Sequence, residues 1–188
     1  MQYLFPLIAL LVLTSCASNY HLTEPLTLSF DQPQDVQNGQ AKISYRYNVL
    51  KEAGNRKYAK KEKQSGVSLL ALRIENVGTD TLFFPGDFYV MAGRDSLYLL
   101  TSDEAGEALR QTTAEDSGNG AVEVDAPLLN ATKDIFNAAT QVKANLRFAK
   151  ELEEFYLFPC LVAPGVSRVG LQAMEVTAGK PLTFGLYK

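Results

Sequence analysis

Residues 66–75 of the chain read GVSLLALRIE, a run that is rich in apolar residues. Successive side chains of an extended strand point to opposite faces. The run therefore divides into two apolar sets, with Leu70, Leu72 and Ile74 on one face and Val67, Leu69 and Ala71 on the other. A strand that is apolar on both faces is stable where protein covers it on both sides. Residues 66–75 thus predict a central strand between two layers of protein.

Eight further segments flank this strand and have the same character, with β-branched and aromatic residues bounded by turn residues. They lie at residues 26–30, 42–50, 81–84, 88–91, 97–100, 155–161, 166–174 and 182–187. The Gly93-Arg94-Asp95 sequence between two of them is typical of a β-hairpin. We therefore expect a mainly β fold, a two-sheet antiparallel sandwich of about nine strands.

Residues 102–153 interrupt this pattern and predict a helical insertion between the sixth and seventh strands. Thr101 and Glu104 have the spacing of a capping box, which predicts a helix ending near Arg110. Residues 111–126 are polar and Gly-rich, as in a loop. A second helix is expected from Pro127 or Asn130 to Glu153. Its inward stripe is predicted to consist of Ile135, Ala139, Val142, Leu146, Ala149 and Leu152.

The N-terminus predicts export and attachment to a membrane. Residues 4–13 are uncharged and apolar, but about ten residues make only about 15 Å of helix, half the ~30 Å of a bilayer core. Such a run is typical of a signal peptide. Residues 13–16, Leu-Thr-Ser-Cys, resemble a bacterial lipobox, which implies a diacylglycerol on the Cys16 thiol and cleavage just before it. A secretory signal cut elsewhere, with an incidental Cys16, is the alternative and still implies export.

These signals divide the chain into three parts. We expect a lipoprotein signal peptide at 1–15, a lipidated cysteine and tether at 16–24, and a single domain at 25–188. Hydrophobic residues make up 46% of the chain and charged residues 21%, proportions that suit one globular domain. The net charge of −3 and the isoelectric point near 5.3 give no support to nucleic-acid binding.

Catalytic motifs are not found in the sequence. His21 is the only histidine and falls in the predicted tether, away from the folded domain. If Cys16 is acylated, Cys160 has no partner for a disulfide, and its apolar surroundings predict a buried thiol. We therefore predict no enzyme, no cofactor and no metal site. An enzyme that uses paired carboxylates, Asp87 with Asp95 or Glu104 with Glu107, remains the alternative.

Two groups of residues are candidates for binding. The first is a basic run, expected at the tip of a hairpin between two strands, that contains Arg56, Lys57, Tyr58, Lys60 and Lys61. Such a run can hold phosphate groups, polyanionic glycans or anionic lipid headgroups, although many basic runs only keep a hairpin tip soluble. The second is an aromatic cluster of Phe83, Phe84, Phe88 and Tyr89. An exposed binding platform and core packing both explain this cluster.

Two stretches carry a resemblance to a known kind of protein. Residues 69–82 are similar to a strand–turn–strand of bacterial Ig-like domains, in which a long central strand ends at an Asn. Residues 163–171 are similar to the late P-G-x-x-x-x-G strand of telokin-like lipoprotein domains. Together with the lipobox, they make the chain resemble Bacteroidota lipoproteins with an Ig-like β-sandwich domain. No catalytic residue can be carried over from this resemblance.

The resemblance implies a location and a role. Ala17, rather than Asp, follows Cys16, which implies anchoring in the outer membrane. Residues 18–21 lack the acidic run that accompanies surface display, so we expect the periplasmic face. The expected role is a non-enzymatic binding or structural accessory module for an envelope protein or a glycan. The alternative is a glycan- or small-ligand-binding lipoprotein that uses the aromatic cluster and the basic hairpin.

Overall fold

The structure is a computed structural model that describes residues 20–187, except 22–23, 31–32, 38, 113–127 and 158. Between 128 and 136 it describes the backbone alone. The predicted signal peptide, Cys16, the side chain of Ile135 and most of the predicted loop at 111–126 therefore lie outside what is described. None of the helices in the described residues is long and apolar enough to cross a bilayer.

The described residues form nine strands, four α-helices and one 3-10 helix. The strands are β1 (Gln34–Val36), β2 (Ala41–Arg46), β3 (Ser68–Asn76), β4 (Leu82–Phe84), β5 (Phe88–Ala92), β6 (Asp95–Ser96), β7 (Cys160–Val162), β8 (Ser167–Met174) and β9 (Leu182–Leu186). The 3-10 helix is Pro25–Thr27, and the α-helices are α1 (Val49–Glu52), α2 (Arg56–Ser65), α3 (Ser102–Leu109) and α4 (Leu128–Phe155).

All strand pairs are antiparallel, and three sheets result. The largest has the order β1-β2-β3-β8, β4 pairs with β7, and the third sheet has the order β6-β5-β9. Strand β3 lies inside the four-stranded sheet and pairs with β8 from Ser68 opposite Met174 to Glu75 opposite Ser167. The predicted mainly β, antiparallel fold is therefore confirmed.

Strand β3 is covered on both faces, as its sequence predicts. Leu70, Leu72 and Ile74 belong to a core shared with the two smaller sheets. Leu69 and Ala71 belong to a second core, on the opposite face, that is shared with α1, α2, α3 and α4. The four-stranded sheet thus separates a layer of small sheets from a layer of helices.

Several predicted strand boundaries are wrong. The segment 26–30 contains the end of a 3-10 helix, and 42–50 stops as a strand at Arg46. Asn48 has a left-handed backbone (φ 62°) that ends the extended run and starts α1. The segment 155–161 divides between the end of α4 and β7. Strand β1 was not predicted.

The basic run at residues 56–63 lies on helix α2, so the predicted hairpin tip is wrong. Its Arg, Lys, Ala and Glu residues favour a helix, and Gly66 ends that helix in the left-handed conformation (φ +72°). Tyr58 and Glu62, four residues apart, form the buried face. Because strands were predicted on both sides of this run, the run was interpreted as their connecting turn and its helix was not predicted.

The helical insertion is confirmed, but of the predicted stripe positions whose side chains the structure describes only Leu152 is buried. Val142 and Leu146 are 57% and 66% exposed, and Ala139 and Ala149 are exposed as well. The buried positions are Ala144, Phe148, Glu151 and Leu152. Both stripes have helical spacing, so periodicity could not choose between them. The predicted capping box of α3 is present, since Thr101 Oγ1 accepts from Glu104 N and Glu104 Oε2 accepts from Thr101 N.

Gly170 allows the end of α4 to approach β8. A Cβ atom at this position would lie 2.6 Å from the Phe155 carbonyl oxygen and 2.9 Å from Leu157 Cγ. We expect Gly170→Ala to lower the free energy of unfolding by about 1–3 kcal/mol, the usual range for overpacking. Chemical denaturation checks this, with the exposed Ser167→Ala of the same strand as the control. Equal denaturation midpoints for Gly170→Ala and the wild type would contradict the close approach.

Candidate functional site

A cleft of about 600 Å³ opens beside α2 at the edge of the helical layer. Four cations line it, namely Lys51, Arg56, Lys60 and Lys63. The polar residues Asn48, Ser68 and Thr177 also line it, together with Ala178. The Ser68 hydroxyl is buried and donates to Val176 O at 2.7 Å. We call this site the cationic cleft.

The periodicity of α2 places its cations in the cationic cleft. Arg56, Lys60 and Lys63 are spaced by four and three residues, so they lie on one side of the helix. Tyr58 and Glu62 turn toward the core and fix the rotation of α2. Lys51 lies on α1, which begins directly after the left-handed Asn48. Two sequential helices thus present four cations to a single concavity.

The cleft is strongly positive. In the described part of the chain the ion pairs are Arg46–Glu52 and Arg110–Glu107, and neither contains a cation of the cleft. Glu62 is the only carboxylate among the lining residues. A concave surface with cations of one sign raises the local concentration of anions. The arrangement therefore suits an anionic group better than a neutral or cationic one.

Glu62 contributes less negative charge than its formal charge suggests. The side chain is 7% exposed, and burial raises the pKa of the carboxyl from 4.5 to about 7. The Leu69 N–H donates to Glu62 Oε1 at 2.8 Å, which opposes the increase in pKa. Near neutral pH the Glu62 carboxyl is therefore partly protonated, and the cationic cleft keeps most of its positive charge.

The first described residues are fixed to α2 and α4. Tyr20 is 4% exposed, and its ring lies 4.9 Å from that of Tyr58 and 5.3 Å from that of Phe148, centroid to centroid. His21 N donates to Asn55 Oδ1 at 2.8 Å, and Asn55 Nδ2 donates to His21 O at 2.7 Å. The predicted tether at 16–24 is thus too long, because Tyr20 and His21 already belong to the folded domain.

Comparison with protein-family models, with curated proteins and with solved structures finds no match to this chain. A functional interpretation therefore rests on the geometry of the cationic cleft and on the sequence.

The structure places only some of the basic candidate residues in the cationic cleft. Arg56 and Lys60 lie in the cationic cleft, whereas Lys57 and Lys61 do not line it. Tyr58 is fully buried and donates from its hydroxyl to Asn145 Oδ1 at 2.9 Å. Tyr58 is therefore a packing residue. Sequence reasoning missed Lys51, and it included Lys63 in the basic run at residues 56–63 without naming it as a binding residue. The spacing of Lys63 from Arg56 and Lys60 would have indicated its role had α2 been recognised as a helix.

The aromatic candidates do not form an exposed platform. Phe84 and Phe88 lie in the core, with ring centroids 5.6 Å apart. Tyr89 is half-buried; its ring lies over Gly185 and 5.3 Å from the ring of Tyr187. Phe83 alone of the four is exposed, because adjacent residues of β4 point to opposite faces. The structure therefore corrects the expectation of an aromatic binding surface.

The carboxylates considered for catalysis take part in local structure. Asp87 Oδ2 accepts from Phe83 N at 2.6 Å in the turn between β4 and β5. Glu104 belongs to the capping box of α3, and its hydrogen bonds to Thr101 lower its pKa. Glu107 pairs with Arg110 at 3.0 Å. Among the described residues no group of three or more His, Cys, Asp or Glu side chains is placed to hold a metal ion.

Cys160 is a free thiol of strand β7. It is half-buried rather than buried as predicted, and it packs against the core between the sheets. Burial raises its thiol pKa, and the nearby Arg168 opposes this effect. A raised pKa leaves less of the nucleophilic thiolate, so this setting favours a structural role.

Proposed function

We propose that this chain is a lipid-anchored lipoprotein of the bacterial cell envelope, and that its folded domain is a non-enzymatic binding module for an anionic ligand. The observation that carries the proposal is the convergence of Lys51, Arg56, Lys60 and Lys63 on one cleft without ion pairs among the described residues. An unpaired cation in a concave site is available to an incoming anion.

The chemistry of the cationic cleft favours phosphate, sulfate or carboxylate groups. Arginine offers a planar fork of N–H donors and lysine offers a compact charge, and both form strong hydrogen bonds to anionic oxygens. The exposed Asn48 adds an amide that can orient a ligand. Phosphorylated or acidic glycans, anionic lipids and acidic segments of an envelope protein are the ligand classes that carry these groups.

The sequence supports the location. The lipobox-like residues 13–16 follow an apolar run of signal-peptide length, and we propose that Cys16 carries the lipid and holds the domain at the periplasmic face of the outer membrane. The antiparallel sheets support an Ig-like sandwich, in which β1, β2, β3 and β8 form one sheet and the remaining strands form the other layer. The resemblance to Bacteroidota lipoproteins is part of the same proposal.

Charge reversal in the cationic cleft tests the binding role. We expect Lys60→Glu combined with Lys63→Glu to weaken binding of the purified chain to an acidic glycan or to inorganic phosphate at least about tenfold, because two charge-assisted contacts become repulsive. Isothermal titration calorimetry measures this effect.

The matched control reverses two cations at the far end of the four-stranded sheet, Lys42 and Arg168, and so changes the net charge equally. Strand pairing places Lys42 opposite Glu75 and Arg168 opposite Ile74, at the other end of β3 from Ser68. The control should keep wild-type affinity. Equal weakening in both double variants, or no binding by the wild type, would reject the cleft as the binding site.

A further inference from the structure

We infer that the anionic ligand of the cationic cleft is the headgroup phosphate of anionic lipids that surround the anchor, so that α2 lies against the bilayer surface. The inference rests on the proposed function, because it requires a lipid on Cys16. The domain then has a fixed orientation on its membrane, with the helical layer toward the bilayer and the layer of small sheets away from it.

The length of chain before Tyr20 sets how far the folded domain can stand from the anchor. Three residues, at positions 17–19, separate Cys16 from Tyr20. An extended chain advances at most about 3.6 Å per residue, so the two Cα atoms lie within about 14 Å of one another whatever the conformation. A lipidated Cys16 at headgroup level therefore holds Tyr20 within that distance of the bilayer surface.

Tyr20 connects this short segment directly to α2. Its ring contacts Tyr58 of α2 and Phe148 of α4, and it is buried, so it cannot move away from these helices without exposing its ring. The two hydrogen bonds between His21 and Asn55 attach the next residue immediately before Arg56, the first residue of α2. The point of attachment is thus at the end of α2 that carries a cation of the cleft.

The charge of α2 fits an anionic surface. Its ten residues contain five cations, Arg56, Lys57, Lys60, Lys61 and Lys63, and one carboxylate, the buried Glu62. The whole chain, by contrast, has a net charge of −3. The part of α4 beside Tyr20 is mixed, since Arg147 and Lys150 lie there with Glu151 and Glu154. Attraction to a negative surface therefore acts mainly on α2.

Proximity favours headgroups over soluble anions. Electrostatic attraction at physiological salt extends about 8 Å, and polybasic segments held next to anionic lipids are drawn to that surface. The anchor keeps the headgroups near the cationic cleft permanently, so binding becomes in effect intramolecular. A free phosphate or a soluble glycan would have to compete with this high local concentration.

Fluorescence quenching by headgroup-labelled lipids tests the orientation. In a Cys160→Ser background, the acylated chain would carry a fluorophore either at Gln64→Cys on α2 or at Ser96→Cys on β6, both exposed positions in opposite layers. The two proteins are reconstituted in vesicles of phosphatidylethanolamine with phosphatidylglycerol or of phosphatidylcholine alone. Both vesicle types contain a lipid with a nitroxide headgroup.

We expect several-fold stronger quenching at position 64 than at position 96 in the phosphatidylglycerol vesicles. This difference should shrink in phosphatidylcholine and with Lys60→Glu combined with Lys63→Glu. Equal quenching at the two positions, or a difference that is the same in both lipids, would overturn the inference. Loss of the difference on adding inorganic phosphate, but not chloride at equal ionic strength, would show that phosphate competes with the headgroups for the cationic cleft and would support the inference.

Flotation of the same vesicles distinguishes a failure of the inferred orientation from a failure of the proposed lipid anchor. A chain that floats with the vesicles but shows equal quenching at positions 64 and 96 retains its lipid anchor and lacks the inferred orientation. A chain that does not float lacks the anchor itself, and both the proposed location and the inferred orientation then fail.

Discussion

Replacement of Phe148 by alanine should lower the free energy of unfolding by about 3–5 kcal/mol, the range for removing a buried aromatic ring from a core. The side chain is 1% exposed and contacts the rings of Tyr20 and Tyr58, with centroid distances of 5.3 and 4.8 Å. These contacts join α4 to α2 and to the first described residues, so no neighbour can fill the space without moving a helix. Urea denaturation followed by circular dichroism measures the loss.

Leu146→Ala is the matched control, two residues away on the same helix. Leu146 is 66% exposed, so its truncation should change the free energy of unfolding by less than about 0.5 kcal/mol. The pair decides which apolar stripe of α4 packs on the sheet. A large loss for Leu146→Ala with a small loss for Phe148→Ala would restore the stripe predicted from the sequence and contradict the packing described above.

The Glu62→Gln variant should be more stable than the wild type above pH 7, by about 1–3 kcal/mol. The pKa of Glu62 is raised from 4.5 to about 7 in the folded chain, a difference that corresponds to roughly 3 kcal/mol. An acid with a raised folded pKa favours folding while protonated, so its contribution is full below pH 4.5 and is lost as the pH rises through 7. Glutamine stays neutral and its oxygen can still accept from Leu69 N.

The stability of Glu62→Gln relative to the wild type should therefore increase between pH 4.5 and 7.5 and then level off. Thermal or urea unfolding at a series of pH values gives this curve. Glu153→Gln, an exposed position of α4, is the control and should differ from the wild type by less than about 0.5 kcal/mol. A pH-independent difference for Glu62→Gln would mean that the Glu62 carboxyl titrates alike in the folded and unfolded chains.

Local patterns were sufficient for the parts of the fold that depend on near neighbours. The two apolar faces of residues 66–75 predicted a strand covered on both sides, because alternation follows from backbone geometry. Thr101 and Glu104 predicted the start of α3, because both partners of a capping box lie within four residues. The turn at residues 93–94 follows from the same kind of local chemistry, although the second strand of the hairpin is Asp95–Ser96 and the prediction of a strand at 97–100 is wrong.

Features that depend on distant contacts could not be read from the sequence. Two stripes of α4 have helical spacing, and the choice of the Phe148 side depends on Tyr20 and Tyr58, which lie more than eighty residues earlier. The prediction of an exposed aromatic surface is wrong for the same reason, since strands from the end of the chain bury Phe84 and Phe88. Charge predicted Arg56 and Lys60 of the cationic cleft and placed Lys63 in the same basic run. Lys51 lies on α1, and its approach to α2 depends on contacts between the two helices.

Both ends of the helical insertion meet at one strand, and this has a consequence for how such a chain can evolve. Leu100 N donates to Ala173 O at 3.0 Å, Leu157 N donates to Leu171 O at 2.8 Å, and the Tyr156 hydroxyl donates to Leu100 O at 2.6 Å. The helical insertion is thus closed at its base by the hydrogen bonds of Leu100 and Leu157 to β8 and by the hydrogen bond between Tyr156 and Leu100. A closed insertion can gain residues with little loss of stability, since doubling the length of a closed loop adds only about 0.6 kcal/mol to the entropic cost of loop closure. Insertions and deletions far from this base should accumulate without altering the register of the sheet beneath it.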